Sequence, residues 1–313
     1  MIPYLLRRLG TSLVLTVLVS MITFFLLSTS FDGIVRSILG TAATPATVQA
    51  KKAEMGMDHP VIVQYFDWLQ HAVRGDFGVS YFTSQPVGSA VADHFTVTLS
   101  IVVVALSLTA AISVALGVLA AARGGVLDRI AQVASLFGYI VPNLLLAIGL
   151  VVVFAVKLDW LPATGYTPFA ESPGRWLASI TIPVIALMVG GIASLSAQIR
   201  GAMIGELRKD YVRTLRTRGI SPRSIVLKHA LRNAAGPAFT VLSLEFIAML
   251  GGALIIENVF ALPGIGSFSF NAALQGDVPI IMGLSLFGVL FVVGVNLIVD
   301  VVNGWLNPKA RQQ

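Results

Sequence analysis

Apolar runs of about 20 residues, nearly free of charge, return six times along this 313-residue chain, and they limit its folding more than any other feature. A bilayer core is about 30 Å thick, and a helix of about 20 apolar residues crosses it. Inside that core every backbone N–H and C=O must be paired within the segment, so helices are the expected spanning element. Charged residues make up 12% of the chain, against roughly 25% in soluble domains, and mean hydropathy is +0.86. The chain therefore reads as an all-α polytopic membrane protein. Its six transmembrane helices are expected near 9–30, 96–122, 130–157, 177–199, 236–257 and 279–303, with a Pro142 kink in the third and Pro183 near the start of the fourth. The first run follows Arg7-Arg8 but has no clean small-x-small site after it, so it is expected to be retained.

Charge orients these spans. Fifteen Lys and Arg fall in segments that share a side if both termini are cytoplasmic, and five fall on the other side. Lys157 sits at an outer helix end, where it can snorkel. The asymmetry follows the positive-inside rule, so both termini are read as cytoplasmic. The same placement turns the net charge of +6 toward the bilayer and away from nucleic acid. Cysteine is absent, and the four histidines have no metal-ligand spacing. None of the six lysines is followed by Ser or Thr, so the phosphate-binding loop of a nucleotide hydrolase is missing.

The loop at 31–95 carries helix signals of its own. Thr44-Pro45 reads as a cap followed by a first-turn proline, and Gly56 as a stop. In "VIVQYFDWLQHAV", Val61, Tyr65, Trp68 and Leu69 share one helical face.

The cytoplasmic loop near 200–235 holds nine Lys and Arg from Arg200 to Arg232. Ile204, Leu207, Tyr211 and Leu215 recur at helical spacing, with Arg208, Lys209, Arg213 and Arg216 on other faces. Gly219 suits a left-handed stop, and Ser221-Pro222 a new start. The loop thus reads as helix, turn, helix: either a basic anchor touching anionic lipid or a docking lever. Glu245, Glu257 and Asp300 lie in or near spans, where an acid is a functional candidate by default. Glu245 is the deepest, with Met249 one turn on. It either lines a pathway or hydrogen-bonds to a neighbouring helix.

The stretch "DYVRTLRTRGISPRSIVLKHALRNAAGP" resembles the cytoplasmic loop of permease subunits of binding-protein-dependent ABC importers, in particular the dipeptide/oligopeptide/nickel branch. "YLLRRLG", "VKLDWLPATGY", "ENVFALPGIGSFSFNAAL" and "NLIVDVVNGWLNPKAR" resemble that branch in the same order. The resemblance implies the type I ABC importer permease fold. It implies a coupling helix, with Tyr211, Arg213, Thr214, Leu215, Arg216 and Gly219 at the ATPase, whereas the option that Glu245 lines a pathway with Met249, or meets a peptide's amino group, comes only from its depth in the span. It also implies partners: a second homologous permease, two ATP-binding cassette subunits that hold the ATP and magnesium, and an extracytoplasmic solute-binding protein. This chain itself would carry no cofactor and no catalytic or metal site. The general family has Glu-Ala-Ala before the loop glycine, and the peptide branch Arg-Thr-Ala. Arg213 and Thr214 fit the latter, while Leu215 is bulkier than alanine. After the first span the branch has Pro-Gly-Asp-Pro, and this chain has "FDGIVRS".

The expected organisation is an N-terminal transmembrane helix at 1–30, an extracytoplasmic loop with short helices at 31–95, a permease core of five transmembrane helices at 96–303 with the coupling loop 200–235, and a cytoplasmic tail at 304–313. Two other classes compete: a secondary transporter or channel, which would need inverted repeats and midplane ion ligands, and an intramembrane enzyme, which would need a paired nucleophile and base inside the spans.

Overall fold

The structure is a computed structural model that describes residues 2–306, with side chains except at 2–6, 126, 127, 130, 131, 134, 137 and 300–306. Most of the tail expected at 304–313 lies outside the described residues, as does the side chain of Asp300. The chain runs α1 (Ile2–Ser28), α2 (Phe31–Leu39), α3 (Pro45–Glu54), α4 (Val61–Val73), α5 (Val87–Arg123), α6 (Gly125–Ile140) and α7 (Asn143–Leu150), which continues as a π-helix over Val151–Lys157. Then come α8 (Pro173–Leu207), α9 (Asp210–Thr217), α10 (Pro222–Ser224) with a π-helix over Ile225–Ala230, α11 (Leu231–Val259), α12 (Ile265–Gln275) and α13 (Val278–Leu306).

Among the described residues, five helical stretches are long and apolar enough to cross a membrane, and Asn143–Lys157 is a shorter apolar one. The span expected at 130–157 is therefore not one kinked helix. It breaks at Val141 and Pro142, whose φ of −60° and ψ of 135° begin α7 as a separate helix. Proline lacks the N–H that would continue the ladder and pushes the residue before it out of helical geometry. Helix α8, by contrast, runs through a buried Pro183 without ending.

The chain forms two compact units. One holds the chain up to Val97 together with Pro263–Val295. Here α2, α3 and α4 fold back on α1 and the start of α13. Phe24, Phe31, Ile34, Val48, Tyr65 and Met282 make one core. Thr44 caps α3 with Pro45 in its first turn. Val61, Trp68 and Leu69 pack around Tyr65, which is 1% exposed. The Tyr65 hydroxyl lies 2.9 Å from that of Ser20 and donates to the Val17 carbonyl at 3.1 Å. This aromatic face is thus spent on α1. Gly276, with φ of +73°, turns the chain into α13, and a side chain there would meet Ile34 at 2.7 Å.

Asp277, 3% exposed, ties down the loop that precedes α5. Its carboxylate accepts from the Ser80 hydroxyl, and from the Tyr81 N–H at 3.3 Å. Ser80 Oγ in turn accepts from the N–H of Thr83 at 3.0 Å and of Phe82 at 3.2 Å. One buried carboxylate thereby orders the segment 80–85, alongside the packing of Tyr81 on the core.

The other unit holds Thr98–Leu262 and the chain from Asn296. Helix α8 is its centre, burying residues from Ser179 to Met203. Small residues let its neighbours close in. A side chain at Gly117 of α5 would meet Ile199 Cβ at 2.8 Å and the Ser196 carbonyl at 2.9 Å. One at Gly138 of α6 would meet Ala193 at 3.2 Å, and one at Gly252 of α11 would meet Leu187 at 3.3 Å. Lipid tails are as apolar as leucine, so such close backbone contact is what holds membrane helices together.

Two outcomes test the Asp277 tie. Asp277→Ala should cost about 2 kcal/mol, the scale for leaving buried donors unmet, with faster protease cleavage at 80–85 and a lower melting temperature. Burial first, and the Asp277 charge second, push the Tyr81 phenol from 10.0 up to about 12. The folded protein thus keeps this proton longer than the unfolded chain. The stability it contributes is intact below pH 10.0 and is lost as pH rises towards about 12. An ultraviolet phenolate titration should show one late tyrosine, which Asp277→Ala brings earlier.

Candidate functional site

The basic loop begins at the end of α8. The amphipathic helix expected through Ile204, Leu207, Tyr211 and Leu215 is divided in the structure. α8 stops at Leu207, and Lys209, with φ of −69° and ψ of 150°, starts α9. Glu206 makes the break favourable. Its carboxylate takes the Lys209 ammonium at 2.5 Å and the Tyr211 hydroxyl at 3.0 Å, while its carbonyl accepts the Lys209 N–H at 3.2 Å. Asp210 then places a negative charge in the first turn of α9.

One residue roots α9. Val212 is 1% exposed, while Tyr211 and Leu215 are half-buried beside it. Arg213, Thr214 and Arg216 are exposed, and the Arg213–Asp210 pair at 3.7 Å is a surface contact of small worth. Gly219 has a φ of +75°, which closes the turn. Ser221 caps the next helix, with Pro222 in its first position. Asn233, at the start of α11, donates to the Tyr211 hydroxyl at 3.2 Å. Tyr211 thus bridges the end of α8 and the root of α11. Burial raises its pKa, the Asn233 donor opposes the shift, and Glu206 adds to it. Lys209 is raised mainly by its bond to Glu206.

Arg200 is not part of the exposed cationic surface. It reaches Asp128 of α6 with two nitrogens, one of them at 2.6 Å. With Gln132, Ser135, Tyr139 and Ser196 it lines a cavity of about 450 Å³ between α5, α6 and α8.

Glu245 and Met249 lie on α11, and Glu245 is about 21 Å along the helix from Leu231. They converge with Thr109 of α5 on Gly191 of α8. A side chain at Gly191 would lie 3.0 Å from Met249 Cε, 3.1 Å from the Thr109 methyl and 3.3 Å from Glu245 Oε2. Glu257, further along α11, is fully buried and accepts from the Thr98 hydroxyl at 2.5 Å. Among the described residues no group of three His, Asp or Glu is placed to hold a metal.

Sequence reasoning found the turn at Gly219 and named Glu245 and Met249, which lie one turn apart on α11. It missed Glu206, Val212 and Asn233, and also Asp128, Thr109 and Gly191. Glu206-x-x-Lys209 was the available signal for the break, as an i,i+3 ion pair at a helix end. The others depend on partners distant in sequence.

Removing only the Tyr211 hydroxyl, as Tyr211→Phe, deletes two hydrogen bonds of about 1 kcal/mol each. Amide hydrogen exchange of 210–217 should speed up several-fold, with the rest of α8 and α11 unchanged.

Two family models match the chain. That of the binding-protein-dependent transport system inner membrane component covers residues 113–312, and that of the N-terminal part of such membrane components covers 1–102. A protein of Brucella abortus (strain 2308) named as a peptide transport system permease is 36% identical over 313 residues, 99% of each chain. The glutathione transport system permease protein GsiC of Escherichia coli (strain K12) is 31% identical over 313 residues, again 99% of each. Among solved structures, the MetNI methionine ABC transporter in inward-facing conformations matches with a TM-score of 0.56 at 16% identity, over 69% of this chain and 96% of that one. At that identity the likeness is one of fold.

Proposed function

Because the chain belongs to the family of binding-protein-dependent transport system inner membrane components, we propose that it forms half of the translocation pathway for di- and oligopeptides in an ATP-driven importer. It couples that pathway to a cytoplasmic ATPase through 205–235. It is a multi-pass bacterial inner-membrane protein of the ABC-importer permease fold and a transport permease, not an enzyme. The peptide assignment draws on relatives with peptide and glutathione permease names.

The observation that carries the coupling reading is the construction of α9. It is a two-turn helix rooted by Val212 and held at both ends of the loop by the hydrogen bonds of Tyr211. It turns Arg213, Thr214 and Arg216 outward. A topology anchor needs only charge. A lever needs a fixed angle, and this one has it. Tyr211, Arg213, Thr214, Leu215, Arg216 and Gly219 form the ATPase-facing element, and Glu245 and Met249 face the pathway. The working complex contains a second homologous permease, two ATP-binding cassette subunits that bind ATP and magnesium, and an extracytoplasmic binding protein. The chain crosses six times with both termini cytoplasmic, the third crossing being built from α6, α7 and the π-helix that ends at Lys157. The permease core is 96–303, entered from the helix at 1–30 and the outer loop 31–95, with a cytoplasmic tail at 304–313.

Gly219→Pro cannot reach a φ of +75°, and Leu215→Arg puts a charge on the half-buried side of α9. Both should leave membrane insertion intact and lower peptide uptake by about tenfold or more, with ATP hydrolysis no longer responding to substrate. Wild-type uptake in both would sink the coupling role.

A further inference from the structure

The cations of the basic loop divide by what they touch. Arg200 is held by Asp128 and Lys209 by Glu206, and Arg213 stands near Asp210. After Asp210 the chain has no acid until Glu245, so nothing close in sequence answers Arg223, Lys228 and Arg232. All three are exposed, and none has an ion pair among the described residues. Among them stands Leu227, 57% exposed, a bare apolar side chain in a basic segment.

The π-helix over Ile225–Ala230 gathers these residues. In an α-helix, residues five apart point about 140° away from each other. A π-helix bonds i to i+5, so residues five apart come nearly into line. Arg223 and Lys228 are five apart, and so are Leu227 and Arg232. Packing fixes the other side. Ile225, Ala230 and Ala234 are buried, and Ala230 and Ala234 share a core with Leu195, Ile199 and Met203 of α8. The exposed four lie on the face turned away from that core.

We propose that this face binds the phosphate headgroups of anionic phospholipids, in the leaflet where the helix enters the membrane. Pro222–Val259 is one continuous stretch long and apolar enough to cross. Residues 233–244 carry no charge, so Arg232 is the last cation before the hydrocarbon. Lys228 stands about one turn outside it, and Arg223 about two. One ammonium and two guanidinium groups at that depth meet lipid phosphates, while their stems and Leu227 lie on the first carbons of the acyl chains. In water Leu227 would gain nothing from its exposure. Helix α9, before the Gly219 turn, differs: it shows Arg213, Thr214 and Arg216 with no exposed large apolar side chain. The loop thus has two basic surfaces, one suited to a protein and one to lipid. The lipid contact holds the root about which α9 moves, and only this last step rests on the coupling reading above.

The test titrates the intact complex, in mild detergent, with dioleoylphosphatidylglycerol or dioleoylphosphatidylcholine and counts bound lipid by native mass spectrometry. Inorganic phosphate is the competing free anion. Phosphatidylglycerol should be preferred by about tenfold. The preference should fall several-fold when Arg223, Lys228 and Arg232 are all changed to Gln, stay in the double variant R213Q/R216Q, and resist inorganic phosphate. No preference in the wild type, or equal loss in both variants, overturns the site. Competition by inorganic phosphate makes it a free-anion site and overturns the lipid reading. A second measurement leaves the charges in place. The chain has no cysteine, so a single nitroxide can be attached at Leu227→Cys or Arg216→Cys. In nanodiscs containing phosphatidylglycerol, oxygen concentrates in lipid. Relative to a water-soluble nickel complex, it should relax the label at 227 several-fold more than the label at 216. Equal relaxation puts 227 in water, and shielding from both reagents puts it under a protein subunit; either overturns the proposal.

Discussion

Helix α8 can act as one rigid body only because its neighbours approach without side chains between them. In lipid there is no gain from hiding leucine against leucine, so the association of α5, α6 and α11 with α8 depends on close contact. Gly117, Gly138 and Gly252 are where that contact is made, and at Gly117 an added carbon would press on the Ser196 carbonyl itself. Because a carbonyl cannot rotate away as a side-chain end can, the α5–α8 contact at Ser196 and Ile199 has little freedom to slide. The bidentate Asp128–Arg200 pair fastens α6 to the same helix nearer its C-terminal end.

A rigid α8 determines what the loop can do. Glu206 belongs to its last turn, and through Tyr211 it holds α9, which Asn233 ties to the root of α11. A push on α9 therefore reaches two long helices at once. The link to α11 passes through the π-helix at Ile225–Ala230. Its wider hydrogen-bond ring is a local departure from α geometry of a kind common at functional sites. Helix α9 and the Gly191 junction thus share two continuous elements, α8 and α11, and need no chain of side-chain relays between them.

The parts of this architecture that were legible from sequence are those set by neighbours in the chain. Apolar runs mark helices, Thr44-Pro45 and Ser221-Pro222 mark starts, and Gly219 marks a turn, because each depends on local geometry. Pro142 was legible as a disturbance but not as a full break, since whether the freed backbone groups find partners depends on packing. Val212 was hidden because the Leu and Tyr pattern pointed to a longer helix, and the Glu206 turn rotates α9 out of that register. Asp128 with Arg200, and Thr109 with Gly191, were not legible at all. They are 72 and 82 residues apart, and nothing in either segment names its partner.

The two glutamates of α11 show how position decides the fate of a charge-bearing group. They are 12 residues apart, about 18 Å along the helix. Glu257 ends its helix at a turn, where its carbonyl takes the Leu262 N–H and its carboxyl a threonine hydroxyl. There, burial and satisfaction go together, and the group serves the fold. Glu245 lies where Met249 and Thr109 of α5 close on Gly191 of α8, so tightly that a side chain at 191 would press on all three. A carboxyl there, with no hydrogen bond or ion pair among the described residues, is a cost that the fold carries rather than a support to it.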